Sequence, residues 1–432
     1  MPAKLKIKRL PVQPREKIRK IVLDPYFVVL CVMGGFAILG STMSKDPVLP
    51  LFSAHLDTPT QLTGFIAAAS TIPGILVSLP AASLSDVFGR RKFILAATFI
   101  FATAPFLYLL VSAWWQLALV RFYHGFATAI FMPVAEATIA EQFPANRGGR
   151  ISDFNSATYI GRGLAPALGG FIILITNKGL PTPQNFAPLY LAVGVSGVLA
   201  LAIAVLLLKE SKVHSAHAAK TELSMGEMLK GWAKVATNRG SMVVTFVQSV
   251  QYYIFGVVEF YFVQYMQQVA GLNSFEIGVV MTVQIVSLIV SRPIMGRFSD
   301  RTSRRTPVVA GCIISGALLL VVPIFTQLWV FLLVSIGYGL GFAMVISSTS
   351  PIMVEVNPAH LVGTSMGFLS TMMDIGQAIG PIISGVILAS VLGYTGLFSS
   401  LTLLLAASAA VFALSGIAKT KENKETVMPA RS

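Results

Sequence analysis

The sequence contains twelve apolar segments that are each long enough to cross a bilayer, which takes about 20 helical residues. Lipid offers no hydrogen-bond partner to an open strand edge, so such segments cross membranes as helices. The residues are 55% hydrophobic and 12% charged, which excludes an ordinary soluble domain. An all-α membrane protein is therefore predicted. The predicted spans, numbered 1 to 12, lie near residues 26–48, 60–82, 93–111, 115–138, 151–175, 187–208, 243–267, 275–297, 307–325, 329–352, 364–390 and 394–416.

A short basic motif occurs twice and suggests that the chain is an internal repeat. Residues 82–92 read ASLSDVFGRRK, and residues 296–305 read GRFSDRTSRR. Asp86 and Asp300 are 214 residues apart, about half the chain, and each copy follows the second span of a set of six. Two similar membrane halves that move against each other are typical of transporters. The predicted units are a basic N-terminus, a six-helix bundle, a linker, a second six-helix bundle and a tail, at 1–25, 26–208, 209–242, 243–417 and 418–432.

The basic residues predict the topology of the chain. The net charge of +14 is large enough to suggest nucleic acid, but the placement of the charges argues otherwise. Of 32 Lys and Arg residues, 28 lie in the two terminal segments, in the linker, in the turns after spans 2, 4 and 8, or at their edges. The opposite intervals hold only Lys45 and Lys178. Since cytoplasmic loops carry the excess of Lys and Arg, both termini are predicted to be cytoplasmic in a multi-pass plasma (inner) membrane protein.

The halves also match within their spans. Spans 4 and 10 end in the similar runs EQFP (141–144) and EVNP (355–358), and spans 5 and 11 share Gly and Pro spacings over 160–170 and 375–385. Small residues let helices approach closely and Pro permits bending, so spans 5 and 11 are candidate moving elements. The linker is predicted to contain a short amphipathic helix at Met225–Val235. His214 and His217 are interpreted as solvated linker residues rather than a metal pair, and no cofactor is expected.

These residues resemble the major facilitator superfamily. Segment 82–92 is similar to its loop motif G-x-L-a-D-r-x-G-r-[rk], and segment 296–305 keeps the Gly, Asp and Arg positions. Segments 117–125 (LALVRFYHG), 160–170 and 47–50 (PVLP) resemble the patterns l-x-x-x-R-x-x-q-G, G-P-x-x-G-G and P-v-x-P of twelve-helix drug:proton antiporters. The resemblance implies two pseudo-symmetric six-helix bundles, with spans 1 and 7 facing each other across a central cavity. It also implies that the protein acts as a monomer.

Ionisable residues inside spans are candidate coupling sites, because each costs about 2.5–3.5 kcal/mol at a span centre. By the resemblance, Arg121 is the arginine that tunes a nearby carboxylate in proton-coupled antiporters, although a structural ion pair is the alternative. Asp46 ends span 1 beside Lys45, and the repeat offset of 214 relates Lys45 to Glu259 in span 7. A simple Lys45–Asp46 pair at the outer water interface is the alternative there. The predicted proton-coupling set is Asp374, which lies deepest, with Glu259, Asp46, Arg121 and Glu136.

The predicted substrate cavity follows from one helix face and one repeat relation. Along span 7, steps of 4, 3 and 4 residues separate Gln248, Tyr252, Phe255 and Glu259, which therefore share one helix face. Polar side chains on such a face rarely point to lipid. In span 11, Asp374 and Gln377 occupy the repeat positions of two span 5 residues, Tyr159 and Arg162. A static Asp374–Arg162 bridge between the halves is the alternative to a functional role. The predicted cavity residues are Gln248, Tyr252, Phe255, Glu259, Tyr159, Arg162 and Gln377.

The basic turns are predicted to form cytoplasmic gates rather than part of the cavity. Asp86 and Asp300 can face the positive N-terminal ends of spans 11 and 5, a contact worth about 0.3–1 kcal/mol. Glu141 and Glu355 end spans 4 and 10 within reach of the basic residues of these turns. The predicted gate comprises Asp86, Arg90, Arg91, Glu141, Asp300, Arg304, Arg305 and Glu355.

The function predicted from the sequence is secondary active transport, with protons and a small molecule as partners. The sequence has no phosphate-binding loop for ATP and no arrangement that suggests an enzyme. The resemblance favours proton-coupled efflux of small amphipathic or cationic compounds, as in multidrug antiporters. Proton-coupled uptake of sugars or organic acids is the first alternative, and a non-transporting receptor is the second.

Overall fold

The computed structural model describes residues 24–180, 183–208, 225–358 and 361–417. Within these ranges twelve helical segments are long and apolar enough to cross a membrane, and no residue is in a β-strand. The predicted all-α fold with twelve spans is therefore confirmed. The basic N-terminus, the linker residues His214 and His217, and the tail lie outside the described residues.

The first half contains spans 1 to 6. Span 1 consists of the helices Pro25–Met43 and Val48–His55, and span 2 consists of Thr60–Ala69 and Ile72–Phe88. Spans 3 to 6 are Arg90–Tyr108, Trp114–Gln142, Arg147–Thr176 and Ala187–Leu207. The break in span 1 leaves a turn at residues 44–47, which contains Lys45 and Asp46.

The second half contains spans 7 to 12, preceded by a helix at Met225–Thr237 where the amphipathic helix is predicted. Span 7 consists of the helix Arg239–Val257, a π-helical segment at Val258–Phe262 and the helix Val263–Gln268. Spans 8 to 12 are Ser274–Arg301, Arg305–Val321, Leu328–Glu355, Val362–Leu388 and Gly393–Leu414.

Several helices extend beyond the predicted apolar segments, because polar residues continue or cap them outside the hydrocarbon. Asn238 caps span 7, where its side chain accepts hydrogen bonds from the backbone of Gly240 and Ser241. Span 8 begins with a reciprocal cap in which Asn273 accepts from the backbone of Glu276, and Glu276 accepts from that of Asn273. Such caps satisfy the free N–H groups at a helix start, so hydropathy alone places these ends too far inside.

Helix packing repeats between the halves. In the first half span 1 packs on spans 5 and 6, span 3 on spans 4 and 6, and span 2 on span 4. In the second half span 7 packs on spans 11 and 12, span 9 on spans 10 and 12, and span 8 on span 10. Each contact in the second half joins the spans numbered six higher than those of a contact in the first half, so the two halves pack alike. The halves meet where span 2 packs on span 11 and span 5 packs on span 8, which is itself a symmetric pair of contacts.

Glycines show where the interface between the halves is tight. We call the end with the two basic turns, near residues 89 and 302–304, the motif end, and the other the opposite end. Near the opposite end, a Cβ added at Gly64 would collide with the backbone of Pro381, and one added at Gly170 would collide with that of Ser274. Near the motif end, a Cβ at Gly296 or Gly363 would meet nothing within 4 Å. The halves are therefore packed closely at the opposite end, whereas Gly296 and Gly363 have free space beside them at the motif end.

Candidate functional site

A cavity of about 200 Å³ lies between the two halves. Spans 1, 2, 4 and 5 line it from the first half, and spans 7, 8 and 11 line it from the second. The charged lining residues are Lys45, Asp46, Arg121, Arg162 and Glu259.

Lys45 joins the two halves through an ion pair. Its Nζ lies 2.8 Å from Glu259 Oε2 across the interface and 3.6 Å from Asp46 Oδ2 beside it in the chain. Gln377 Nε2 donates to the same Glu259 oxygen at 3.3 Å. One cation is thus shared by two carboxylates from opposite halves. The structure brings together the residues that the repeat offset relates, and it also forms the alternative Lys45–Asp46 pair.

Asp46 is buried, and its carboxylate accepts no hydrogen bond from the described residues. Its side chain is 2% exposed, so the Lys45–Asp46 pair does not lie at a water interface. Neither Asp46 oxygen has a hydrogen-bond partner among the described residues. A buried carboxylate without donors is costly when ionised, and binding a proton removes much of that cost. Asp46 therefore has the surroundings that a reversible proton carrier needs.

The face of span 7 that is predicted to line the cavity does so only in part. Tyr252, Phe255 and Glu259 line the cavity, whereas Gln248 is buried against span 11, where its Nε2 donates to Met373 Sδ at 2.7 Å. Gln248 is therefore not among the residues that line this cavity. Glu259 lies in the π-helical segment, a wider turn that often occurs at functional positions and changes the direction of the side chains on it.

Arg121 and His124 form the wall that span 4 contributes. Arg121 Nη2 donates to Ser70 Oγ at 2.5 Å, and its Nε has no partner among the described residues. His124 Nδ1 lies 3.4 Å from Tyr108 Oη. A Cβ added at Gly125 would collide with the backbone of Ser70, so this glycine is what lets spans 2 and 4 approach closely.

Two of the predicted coupling acids lie away from the lining of this cavity. Glu136 Oε1 accepts a hydrogen bond from Asn155 Nδ2 at 3.0 Å, between spans 4 and 5. Asp374 packs beside Gly74 of span 2, whose added Cβ would lie 3.5 Å from Asp374 Oδ2. Asp374 and Arg162 form no ion pair, which removes the predicted alternative of a static bridge between them.

Tyr159 connects two arginines from opposite halves at the edge of the cavity. Arg292 Nη1 of span 8 donates to Tyr159 Oη at 2.7 Å, and the Arg162 guanidinium carbon lies 6.0 Å from the centre of the Tyr159 ring. By sequence, Arg292 is one of the basic residues at the edge of the turn after span 8. The structure places it inside the helix, nine residues before Arg301. Its position within predicted span 8 was the signal that could have identified it.

The gate residues form one contact set in each half. Arg90 pairs with Asp86 and with Glu141, to which its Nη2 is 2.5 Å from Oε1. In the second half, Arg304 pairs in the same way with Asp300 at 3.1 Å and with Glu355 at 2.7 Å.

Each set joins the basic turn to the end of span 4 or span 10 in its own half. The neighbouring arginines have a different role: Arg91 Nε donates to Leu208 O at 2.7 Å, and Arg305 Nη2 donates to Ala413 O at 2.5 Å. The contacts of Asp86 and Asp300 with the N-terminal ends of spans 11 and 5 stay a prediction.

Two similar six-helix halves with a charged cavity between them are typical of membrane transporters. The family model of the Major Facilitator Superfamily matches residues 25–273 and, in a second match, residues 242–429. The chain belongs to this superfamily, which confirms the resemblance found in the sequence. It is a multi-pass membrane transporter, and its fold implies a small-molecule substrate.

The relatives of this chain include two proteins that are named for drug resistance. An uncharacterized MFS-type transporter of Methanocaldococcus jannaschii is 24% identical over 356 residues, which cover 82% of this chain and 88% of that one. Multidrug resistance protein 2 of Bacillus subtilis is 22% identical over 366 residues, or 83% and 88% of the two chains. Quinolone resistance protein NorA of Staphylococcus aureus is 22% identical over 372 residues, or 85% and 90%.

Solved structures share the fold at lower identity. The nucleoside transporter NupG superposes with a TM-score of 0.77 at 12% identity and covers 91% of this chain and 100% of that one. A D-xylose-proton symporter superposes with a TM-score of 0.71 at 15% identity, with coverage of 90% and 97%. At these identities the superpositions establish the fold alone.

Proposed function

We propose that this protein is a proton-coupled secondary transporter of small amphipathic organic compounds in which Asp46 carries the proton. One observation carries the proposal: a buried Asp46, whose oxygens accept no hydrogen bond from the described residues, lies beside Lys45, whose ion pair with Glu259 joins the halves. Proton binding at Asp46 therefore acts directly on the contact that closes the opposite end.

The coupling step follows from competition for Lys45. When Asp46 holds a proton, its attraction for the ammonium disappears and Lys45 stays with Glu259, which keeps the opposite end closed. When Asp46 is ionised, it competes with Glu259 for Lys45 and weakens the pair between the halves. Both states are accessible by small movements, because Lys45 Nζ is already 2.8 Å from one acid and 3.6 Å from the other. The proton thus biases a two-state equilibrium, as coupled transport requires.

The proposed orientation places the motif end in the cytoplasm. The basic residues concentrate in the intervals at this end and in the terminal segments, which supports this assignment. With that orientation the described form is closed to the outside. Its Lys45–Glu259 pair corresponds to the protonated state of Asp46 in the mechanism above.

Export is the direction that we propose first, because two of the relatives are named for drug resistance. In an exporter, substrate and proton must exclude each other from the loaded cavity. A second candidate, proton-coupled uptake, is favoured by one observation: Arg162 and Arg292 have no acidic partner among the described residues. An anion near them would favour a proton on Asp46, so the two would move together.

Flux through proteoliposomes tests the proposal. Purified protein would be reconstituted, a pH gradient imposed in either direction, and a panel of drugs, sugars and organic acids followed by radiolabel. We expect flux that depends on the pH gradient in the wild type and is lost in Asp46→Asn. Flux against the proton gradient indicates exchange, and flux along it indicates cotransport. Transport that proceeds at the same rate with and without a gradient would contradict proton coupling.

A further inference from the structure

The acids of the cavity are already neutralised by a side chain of the protein. Glu259 accepts from Lys45 at 2.8 Å and from Gln377 at 3.3 Å, and Asp46 has the same lysine at 3.6 Å. A cationic substrate would have to displace Lys45 and would meet the positive charge of Arg121 in the same cavity. The contacts therefore disfavour a cation and leave the acids to the conformational role described above.

Two arginines beside the same cavity, in contrast to the acids, have no oppositely charged partner among the described residues. Arg162 lines the cavity, and Arg292 lies one turn beyond the lining residue Leu288 on span 8. Both side chains are exposed, and neither forms an ion pair with a described carboxylate. A cation within a span is costly, and such residues usually pair with an acid or face a water-filled pathway. These two retain free charge at the place where a substrate passes.

Tyr159 contacts both arginines. The guanidinium carbons of Arg162 and Arg292, which come from opposite halves, lie 6.0 Å and 5.9 Å from the centre of the Tyr159 ring. A guanidinium has five N–H donors, of which Arg292 gives one to Tyr159. The remaining donors match the two oxygens of a carboxylate, which arginine binds in a bidentate manner.

An aromatic cluster lies on span 7 and span 10 next to these charges. Tyr252 and Phe255 line the cavity, and the Phe342 ring lies 5.3 Å and 4.9 Å from theirs. Aromatic side chains offer a large apolar surface to a ring or hydrocarbon. The cavity thus presents an apolar wall and a cationic edge, which together match an amphipathic molecule with a negatively charged end.

We infer that the substrate is an organic anion whose carboxylate, or a similar acidic group, binds between Arg162 and Arg292 while its apolar part packs against the aromatic cluster. The inference rests on the proposed transport function, because it names the substrate class of that cavity, and an anion there favours the second candidate, proton-coupled uptake. It narrows the amphipathic or cationic compounds expected from the sequence to amphipathic anions. Tyr159 is a positioning residue, since its hydroxyl fixes the direction of Arg292.

Binding to three isosteric probes tests the inference. The probes are 2-naphthoate, 2-naphthamide and 2-naphthamidine, which share a ring system and carry a negative, a neutral and a positive end group. Titration calorimetry on the purified full chain gives their affinities at low and high salt. We expect naphthoate to bind at least about tenfold more tightly than naphthamide, since hydrogen bonds to charged groups are the stronger ones. Naphthamidine should bind most weakly.

Matched variants assign the preference to the two arginines. The double variant Arg162→Gln with Arg292→Gln should bind naphthoate and naphthamide with equal affinity while keeping the wild-type affinity for naphthamide. The control Arg297→Gln removes the same charge from an exposed position on the same helix and should keep the full preference. Tyr159→Phe should reduce the preference by a smaller factor than the double variant, because it leaves both charges in place.

Three results would overturn the inference: naphthamidine binding as tightly as naphthoate, a double variant that keeps the naphthoate preference, or no binding of any probe. These measurements are independent of flux. A carboxylate preference without a pH-dependent flux would refute the proposed coupling alone, and proton-coupled flux without the preference would refute the anion site alone.

Discussion

Neutralising Glu259 should open the opposite end of the transporter. Glu259→Gln keeps the shape of the side chain but removes the charge that holds Lys45 across the interface at 2.8 Å. The two side chains are 27% and 12% exposed, so the pair is neither a surface pair nor a fully buried one. Exposed pairs are worth about 0.2–1 kcal/mol, and breaking a buried pair costs about 3–5 kcal/mol. An intermediate value of about 1–3 kcal/mol shifts the equilibrium about 5- to 150-fold towards the form open at that end.

Electron–electron distance measurements can follow this shift. Spin labels at Leu110→Cys and Val391→Cys report on the opposite end, since both residues are exposed there in different halves. The native Cys31 and Cys312 would be replaced by serine first. We expect Glu259→Gln to add a longer distance that is rare in the wild type.

A control and a double-mutant cycle make the test specific. Thr63→Val removes a neutral hydrogen bond, 3.0 Å long, to Tyr261 in the same interface and should produce a smaller shift. Combining Lys45→Met with Glu259→Gln should add little to either single change, because both remove one interaction. An unchanged distance distribution in both single variants would refute the view that this pair closes the opposite end.

Three further predictions follow from topology, packing and the gate. Cysteines at Lys178 and Lys212 should react with an impermeant reagent from opposite faces of the membrane, and labelling from the same face would contradict the twelve-span topology. Gly64→Ala should separate spans 2 and 11 and reduce transport severely, whereas Gly296→Ala, which faces open space, should behave as the wild type; equal behaviour would contradict the packing argument. Asp86→Asn should slow turnover more than it weakens substrate binding, and lost binding with normal turnover would assign it to the cavity instead.

The spans could be predicted from the sequence because apolar length is a local property of the chain. Each span can be recognised from about 20 consecutive apolar residues, without knowledge of the helices that pack against it. The repeat then related the halves, and the offset between Lys45 and Glu259 identified residues that the structure brings into contact. The ends of the helices could be predicted less well, since caps such as Asn238 and Asn273 lie outside the apolar pattern.

The composition of the cavity could not be predicted in the same way, because it depends on how each helix is rotated and tilted against its neighbours. Gln248 and Glu259 share a face on an ideal helix, yet the first faces span 11 and the second faces the cavity. Arg121 and Glu136 share a side of span 4, but Glu136 bonds to Asn155 away from the cavity lining. By sequence alone, Arg292 counts among the basic residues that indicate topology. The packing of span 8 on span 5 brings it into contact with Tyr159.

Proton exchange on substrate binding is the most direct test of the central claim, that Asp46 couples protons to transport. Purified protein in weakly buffered solution would be mixed with the best substrate of the flux panel while a pH indicator records protons released or taken up. We expect a proton change in the wild type and in Asp374→Asn, and none in Asp46→Asn, although that variant still binds substrate. Release would indicate exchange, and uptake would indicate cotransport. No proton change in the wild type, or an unaltered change in Asp46→Asn, would contradict the account.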